Sequence, residues 1–158
     1  TMIRQLVALT TCCMFTLAVP AQSLKKVVAE ANATFAGVVQ FKVDLRDRLI
    51  MDCFDQGERF RQDIAAVKEL DVDSIFWSAG EESIVLKCIP GKTKCFSKEV
   101  FKLDMVRLTA RSNIPCPNGD AEGEKAIVVL KELIRTAQDE VAALPNATSP
   151  DDTRRTGR

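Results

Sequence analysis

The stretch KCIPGKTKC at residues 87–95 places two cysteines on either side of a Pro-Gly turn. Cysteines in such a pattern can bind a metal, exchange electrons or form a disulfide. Zinc sites usually space their cysteines two to four residues apart and need two further ligands, and this chain has no histidine to supply them. Redox pairs are typically Cys-x-x-Cys at a helix N-terminus. If Gly91 and Lys92 form a two-residue hairpin loop, Cys88 lies opposite Cys95. The stretch therefore predicts a cross-strand disulfide and no metal site.

Four cysteines remain once the two in the N-terminal segment, Cys12 and Cys13, are set aside. An even number in an exported chain indicates disulfides, because the compartment beyond the membrane is oxidising. Four cysteines allow three pairings. With the first bridge assigned, elimination pairs Cys53 with Cys116. The longer loop that this second bridge closes would make it the more stabilising of the two.

Acidic residues are dense around the first predicted turn, where a general acid–base pair or a calcium site could be assembled. They are Asp44, Asp47, Asp52, Asp55 and Glu58. No calcium-loop spacing is present, and Arg46, Arg48 and Arg59 alternate with the acids. Residues 71–74, DVDS, begin like an EF-hand loop but lack its glycine and closing glutamate. We interpret the first group as a solvated hairpin rim and the second as a turn.

Other signs of catalysis or binding are few. The chain lacks histidine and the Gly-x-Ser-x-Gly pattern, so common pairings of a nucleophile with a base are missing, and no cofactor is predicted. Trp77 follows an apolar segment and could serve as an aromatic anchor at a binding surface. Packing in the core is the alternative, and the position of Trp77 at the end of an apolar strand favours it.

The N-terminus has the layout of a secretory signal peptide. A single positive charge, Arg4, precedes an apolar run over residues 6–19, and small residues precede a cleavage point after Ala21. The run is too short to favour a membrane-spanning helix. These features predict a secreted or periplasmic mature chain that begins at Gln22, without membrane insertion after signal cleavage. An alternative places a lipid on Cys12, but the apolar run continues past that residue.

Short extended segments dominate the middle of the chain. They cover residues 38–45, 48–54, 59–64, 73–77, 83–89, 94–97 and 103–114, and Gly, Pro, Asp and Ser separate many of them. In the third segment Phe60, Gln62 and Ile64 alternate with charged residues. Residues 65–70 could equally form a helical turn. About seven short strands in sequence predict an antiparallel sheet.

Two segments have helical periodicity. Residues 23–31 repeat apolar side chains at helical spacing, and Ser23 is a candidate N-cap. Residues 121–144 carry a broad apolar face and stop before Pro145. Acidic residues near the start of this second helix suit its dipole. We expect it to cover one face of the sheet.

The composition is that of an ordinary globular chain. Its 158 residues have a formal net charge of zero, and basic residues alternate with acidic ones, which argues against nucleic acid as a partner. The predicted organisation is a signal peptide (1–21), a single α+β domain (22–144) and a disordered tail (145–158). Asn32 and Asn146 each begin an N-glycosylation sequon, Asn-Ala-Thr, which is relevant if the protein is produced by a eukaryote.

The order of these elements resembles a pleckstrin-homology-like domain. The short strands are followed by Asn113–Pro117 and by the amphipathic stretch Glu124–Ile134, and the resemblance covers roughly residues 37–137. It implies a bent antiparallel sheet of seven strands, a barrel or sandwich, with a C-terminal helix closing one corner. The layout is also similar to small exported bacterial proteins, which implies no activity. The basic pattern that binds phosphoinositides in some members is not recognisable, so lipid binding is not implied.

These observations predict a secreted or periplasmic, disulfide-braced domain. Its predicted function is non-catalytic binding of a protein or other macromolecule that the sequence does not identify. One alternative is a small exported enzyme that uses acidic residues or a reactive thiol, and another is a structural component of the envelope. A broad exposed apolar patch would favour binding, whereas a free thiol or a deep acidic cleft would favour the enzyme.

Overall fold

A computed structural model describes residues 23–144, in which two helices and eight strands enclose one core. The helices are α1 (Leu24–Thr34) and α2 (Glu124–Ala143). The strands are β1 (Val39–Val43), β2 (Arg48–Asp55), β3 (Glu58–Ala66), β4 (Phe76–Ser78), β5 (Ser83–Lys87), β6 (Phe96–Val100), β7 (Met105–Thr109) and β8 (Arg111–Pro115). Short 3-10 turns span Val67–Glu69, Val72–Ser74 and Phe101–Leu103. The predicted signal peptide, the predicted tail and the sequon at Asn146 lie outside the described residues.

The strands form two antiparallel sheets. One has five strands in the order β1-β2-β3-β6-β7, and the other has three in the order β4-β5-β8. The predicted α+β class, with antiparallel strands and a C-terminal helix, is confirmed. The final predicted strand, residues 103–114, is instead two strands, because the chain turns at Ala110 and passes from the larger sheet into the smaller one. The relation to the pleckstrin-homology-like superfold stays a prediction.

The core lies between the sheets and the helices. Apolar side chains of α2, such as Leu130 and Leu133, are buried with Phe41 and Met51 from the five-stranded sheet. These helix positions follow the predicted periodicity. Trp77 is half-buried and packs against the same core. Between residues 23 and 144, neither helix is long and apolar enough to cross a membrane.

The two helices are joined at their ends. The Leu24 backbone N–H donates to Glu140 Oε1 at 3.0 Å, whereas the predicted N-cap Ser23 makes no side-chain capping bond.

Helix α2 begins later than predicted, because Gly123 has a left-handed φ of +64°. Asp120 accepts a hydrogen bond from the Ala126 N–H at 2.8 Å, which satisfies one of the unpaired donors at the helix start.

The predicted Cys88–Cys95 disulfide is present, with a Cα–Cα distance of 5.7 Å. It is not the staple of a hairpin, because Cys88 follows β5 of the smaller sheet and Cys95 precedes β6 of the larger sheet. The Lys92 N–H donates to the Ile89 carbonyl at 3.1 Å, and Gly91 takes the left-handed φ of +85° that this turn requires. The bridge therefore ties the two sheets together.

Candidate functional site

The acidic residue nearest the β1–β2 turn has a structural role. Asp44 Oδ1 accepts the backbone N–H groups of Arg46 at 2.9 Å and of Arg48 at 3.0 Å. Its Oδ2 accepts two bonds from the Arg48 guanidinium, at 2.6 and 2.8 Å. The Arg48 side chain lowers the pKa of Asp44. Asp44 thus stays ionised near neutral pH and closes the turn.

Asp52 departs from the predicted solvated rim, because its carboxylate is buried. It accepts hydrogen bonds from Arg59 at 3.1 Å and from Gln62 at 2.7 Å. Asp55 and Glu58 remain exposed at the β2–β3 turn. Within residues 23–144, no group of three Asp, Glu, Cys or His side chains is placed to hold a metal ion. The acidic stretch thus divides into residues bound to arginine and residues open to solvent.

The second predicted bridge is not formed, and Cys53 and Cys116 are free thiols in the structure. Cys53 Sγ is buried and lies 3.5 Å from Arg61 Nη2. The Cys116 thiol follows β8 and contacts the Asp120 carbonyl. The sequence predicted a disulfide between these two cysteines because they were the two that remained unpaired. In the folded chain, the Cys53 sulfur contacts Arg61 and the Cys116 sulfur contacts Asp120.

Neither thiol is activated as a nucleophile. Burial raises the pKa of Cys53 to about 11. Burial and the nearby Asp120 carboxylate raise the pKa of Cys116. Cys116 also lines an open groove of about 420 Å³, together with Phe54 and Phe60. The thiolate is the reactive form of cysteine. Both side chains are therefore protonated, and poorly nucleophilic, near pH 7.

A buried polar layer connects the two sheets. Arg61 Nε on β3 lies 3.1 Å from Asp63 Oδ1 on the same strand. Asp63 Oδ2 accepts a hydrogen bond from the Ser112 hydroxyl on β8, and Arg61 donates to the carbonyl of Asn113. Asp63 and Ser112 are fully buried. Because buried charges need partners, this layer couples the position of β8 to that of β3.

The sequence pattern of β3 does not reveal this layer, because the predicted alternation falls on the other side of the strand. Gln62 and Ile64 of the predicted alternating set face outward, whereas Phe60 lies at a bulge in β3 and packs against the core, and Asp63 pairs across the sheet with the buried Met51. A single aspartate in a strand that also carries Arg59, Arg61 and Gln62 is a weak signal of such a layer. The hydroxyl that satisfies it comes from a strand 49 residues later in the chain, which no local pattern reveals.

The first edge of the five-stranded sheet, β1, is closed by a side chain from α1. Asn32 Nδ2 donates to the Phe41 carbonyl at 3.0 Å, and the Phe41 N–H donates to Asn32 Oδ1 at 2.7 Å. The amide thus occupies both backbone groups of Phe41, the central residue of β1, which a neighbouring strand would otherwise use. A glycan on the Asn32 sequon would be attached to the same Nδ2 atom. In the folded domain this nitrogen is hydrogen-bonded to the Phe41 carbonyl.

The edges of the three-stranded sheet are also obstructed. On β8, the Asn113 carbonyl accepts a bond from Arg61. Strand β4 has only three residues, and the Phe76 ring on this strand lies 4.8 Å from Lys87 Nζ. Short edge strands and covered edges are two means by which proteins prevent unwanted strand pairing.

The remaining edge, β7, is open over its three central residues. Its central residues Val106, Arg107 and Leu108 are exposed, and Val106 and Leu108 retain 61% and 60% of their accessible surface. Leu103, just before the strand, retains 63%. Among residues 23–144, the Cys88 sulfur lies 3.9 Å from the carbonyl of Thr109, the last residue of β7, and no side chain from another element is hydrogen-bonded to the backbone of Val106, Arg107 or Leu108. Strand β7 therefore presents unpaired backbone groups beside exposed apolar side chains, and we define it as the β7 edge.

The exposed apolar residues continue onto the outer face of the sheet. The antiparallel register places Leu108 in one row with Ser97, Ile64 and Ile50. Ile50 and Ile64 are only partly buried. Their outward position follows from the pairing of strands, since residues opposite each other in a sheet share a face. An added strand on β7 would extend this partly apolar row.

Neither the known family models, nor the curated proteins, nor the solved structures contain a match to this chain.

Proposed function

We propose that the protein is an exported, non-catalytic binding domain that accepts an extended segment of a partner protein as an added strand on the β7 edge. Strand addition uses the backbone for affinity and alternate side chains for specificity. The observation that carries the proposal is the contrast between β7, whose three central residues are open, and β1, whose central residue Phe41 is bonded to Asn32 through both backbone groups.

The apolar side chains of the β7 edge supply the expected binding energy. Full burial of a valine or leucine side chain contributes about 1.5–3 kcal/mol. Val106 and Leu108 are each about 60% exposed. Covering both would therefore contribute about 2–3 kcal/mol in addition to the backbone hydrogen bonds.

Two further observations support the absence of catalysis and the export of the domain. The thiols have raised pKa values, and Asp44, Asp52 and Asp63 are engaged by arginines. The Cys88–Cys95 disulfide agrees with an oxidising compartment and with the signal-like N-terminus. The intact mass of protein recovered from the medium or periplasm tests export. We expect a chain that starts at Gln22, and recovery from the cytosol alone would contradict export.

The binding site is tested by selecting displayed random peptides on the immobilised protein and measuring their Kd. The double variant V106K/L108K places charges on the β7 edge, and L45K is the matched control because Leu45 is fully exposed in the β1–β2 turn. We expect V106K/L108K to weaken binding about 50-fold, from the lost apolar burial, and L45K to have no effect. Equal binding to V106K/L108K and wild type, or no selected peptide, would contradict the proposal.

A further inference from the structure

We infer that the strand accepted by the β7 edge carries an aspartate or glutamate opposite Arg107, with an apolar residue on either side of it. This inference rests on the proposed strand addition and specifies the chemistry of the partner. It follows from the charges on the inner face of the sheet and from the side chains on its outer face.

The charges on the inner face are unbalanced next to the β7 edge. The register places Asp63, Lys98 and Arg107 in one row across β3, β6 and β7. The Asp63 carboxylate is already engaged by Arg61 and by β8. Within residues 23–144, neither Lys98 nor Arg107 forms a salt bridge. The nearest carboxylate on β6, Glu99, projects from the opposite face.

The surroundings of Lys98 and Arg107 favour an added negative charge. Lys98 is half-buried, and its pKa is lowered mainly by that burial; the Asp63 carboxylate raises it, and the cations Arg61 and Arg111 lower it. Within the part of the chain that the structure describes, the one hydrogen-bond partner of the Arg107 guanidinium is a weak acceptor, Met105 Sδ, at 3.1 Å from Nε. The next position in this row belongs to the added strand. Opposite charges at directly facing positions stabilise a sheet.

The outer face determines the neighbours of that acidic residue. Val106 and Leu108 flank Arg107 and point to the other side of the sheet. The residues facing them on the added strand are therefore apolar, and β-branched side chains suit such positions best. The resulting pattern is apolar-acidic-apolar. It reads the same in both directions, so it does not depend on strand orientation.

Arg107 also disfavours a second copy of this chain as the occupant. A symmetric antiparallel pairing that brings Val106 opposite Leu108 of the other copy places Arg107 opposite Arg107. Like charges that face each other directly destabilise a sheet. The β7 edge therefore disfavours pairing with β7 of a second copy and favours pairing with a strand that carries an acidic residue.

The test uses three synthetic peptides with alternating valines and threonines that differ only at the central residue: Glu, Gln or Lys. Their Kd values are measured on the full chain by titration, with amide hydrogen exchange of β7 as a second readout. We expect the Glu peptide to bind about fivefold or more tightly than the Lys peptide. Arg107→Glu should reverse this order, Arg107→Gln should abolish it, and Arg46→Glu, the same charge change in the exposed β1–β2 turn, should leave it unchanged.

The outcomes separate this inference from the proposed function. If none of the peptides binds at millimolar concentration and β7 exchange is unchanged, both strand addition and the acidic preference are overturned. If all three bind with equal Kd and V106K/L108K abolishes binding, strand addition holds and the acidic preference is wrong. A preference for Glu that persists in both Arg107 variants would also overturn the inference, because the charge would then act elsewhere.

Discussion

Removing the Asn32 amide should destabilise the domain through the β1 edge. Asn32 makes two hydrogen bonds to Phe41, at 3.0 and 2.7 Å, and Phe41 is fully buried. Each such bond contributes about 0.5–1.5 kcal/mol net, and an unsatisfied buried group costs more. We therefore expect Asn32→Ala to lower the free energy of unfolding by about 2 kcal/mol. In a domain of this size, the melting temperature would fall by about 8 °C.

The isosteric variant Asn32→Asp separates the two hydrogen bonds. It keeps an acceptor for the Phe41 N–H but turns a carboxylate oxygen towards the Phe41 carbonyl, so near pH 7 it should destabilise at least as much as alanine. That repulsion raises the pKa of the new carboxyl in the folded state above its unfolded value of about 3.9. Protonation restores a donor. The loss of stability should thus be largest above the folded pKa and should shrink as the pH falls through it.

The assay is urea unfolding followed by circular dichroism, with Asn118→Ala as the control because Asn118 is an exposed asparagine in a loop. Wild type and both Asn32 variants would be compared at pH 7 and near pH 4. If Asn32→Ala unfolds at the same urea concentration as Asn118→Ala, Asn32 does not close this edge. In that case the contrast between β1 and β7 would lose its basis.

Three further predictions concern the cysteines and the polar layer. Replacing both Cys88 and Cys95 by serine should lower the free energy of unfolding by about 2.5 kcal/mol, the loop-entropy value for a short closed loop, and unchanged urea unfolding would show that the bridge adds no stability. Asp63→Ala should cost about 3 kcal/mol because it leaves the largely buried Arg61 guanidinium without its carboxylate partner, so a thermal melt equal to wild type would refute the role of the layer. Cys53 has a pKa of about 11, so its alkylation by iodoacetamide in the folded protein should be slow and accelerate about tenfold per pH unit up to that value; fast labelling at pH 7 would contradict its burial.

The sequence by itself determined most of the local structure. The period of α2 follows from apolar residues spaced to cover one helix face, and most strand segments follow from β-branched and aromatic residues bounded by turn-forming residues. The Cys88–Cys95 disulfide could also be predicted from the sequence, because a Pro-Gly turn brings residues seven apart into bonding distance. These features depend on interactions within a few residues, which a sequence displays directly.

Only the tertiary structure decided which surfaces are covered. Asp63 is satisfied by Ser112 from a strand far along the chain, so the inward side of β3 could not be inferred from its own alternation. The division of residues 103–114 between two sheets depends on the pairing of β7 with β6 and of β8 with β5. The closure of β1 by Asn32 and the openness of β7 are likewise consequences of packing, because an edge strand has the same local pattern whether or not another element covers it.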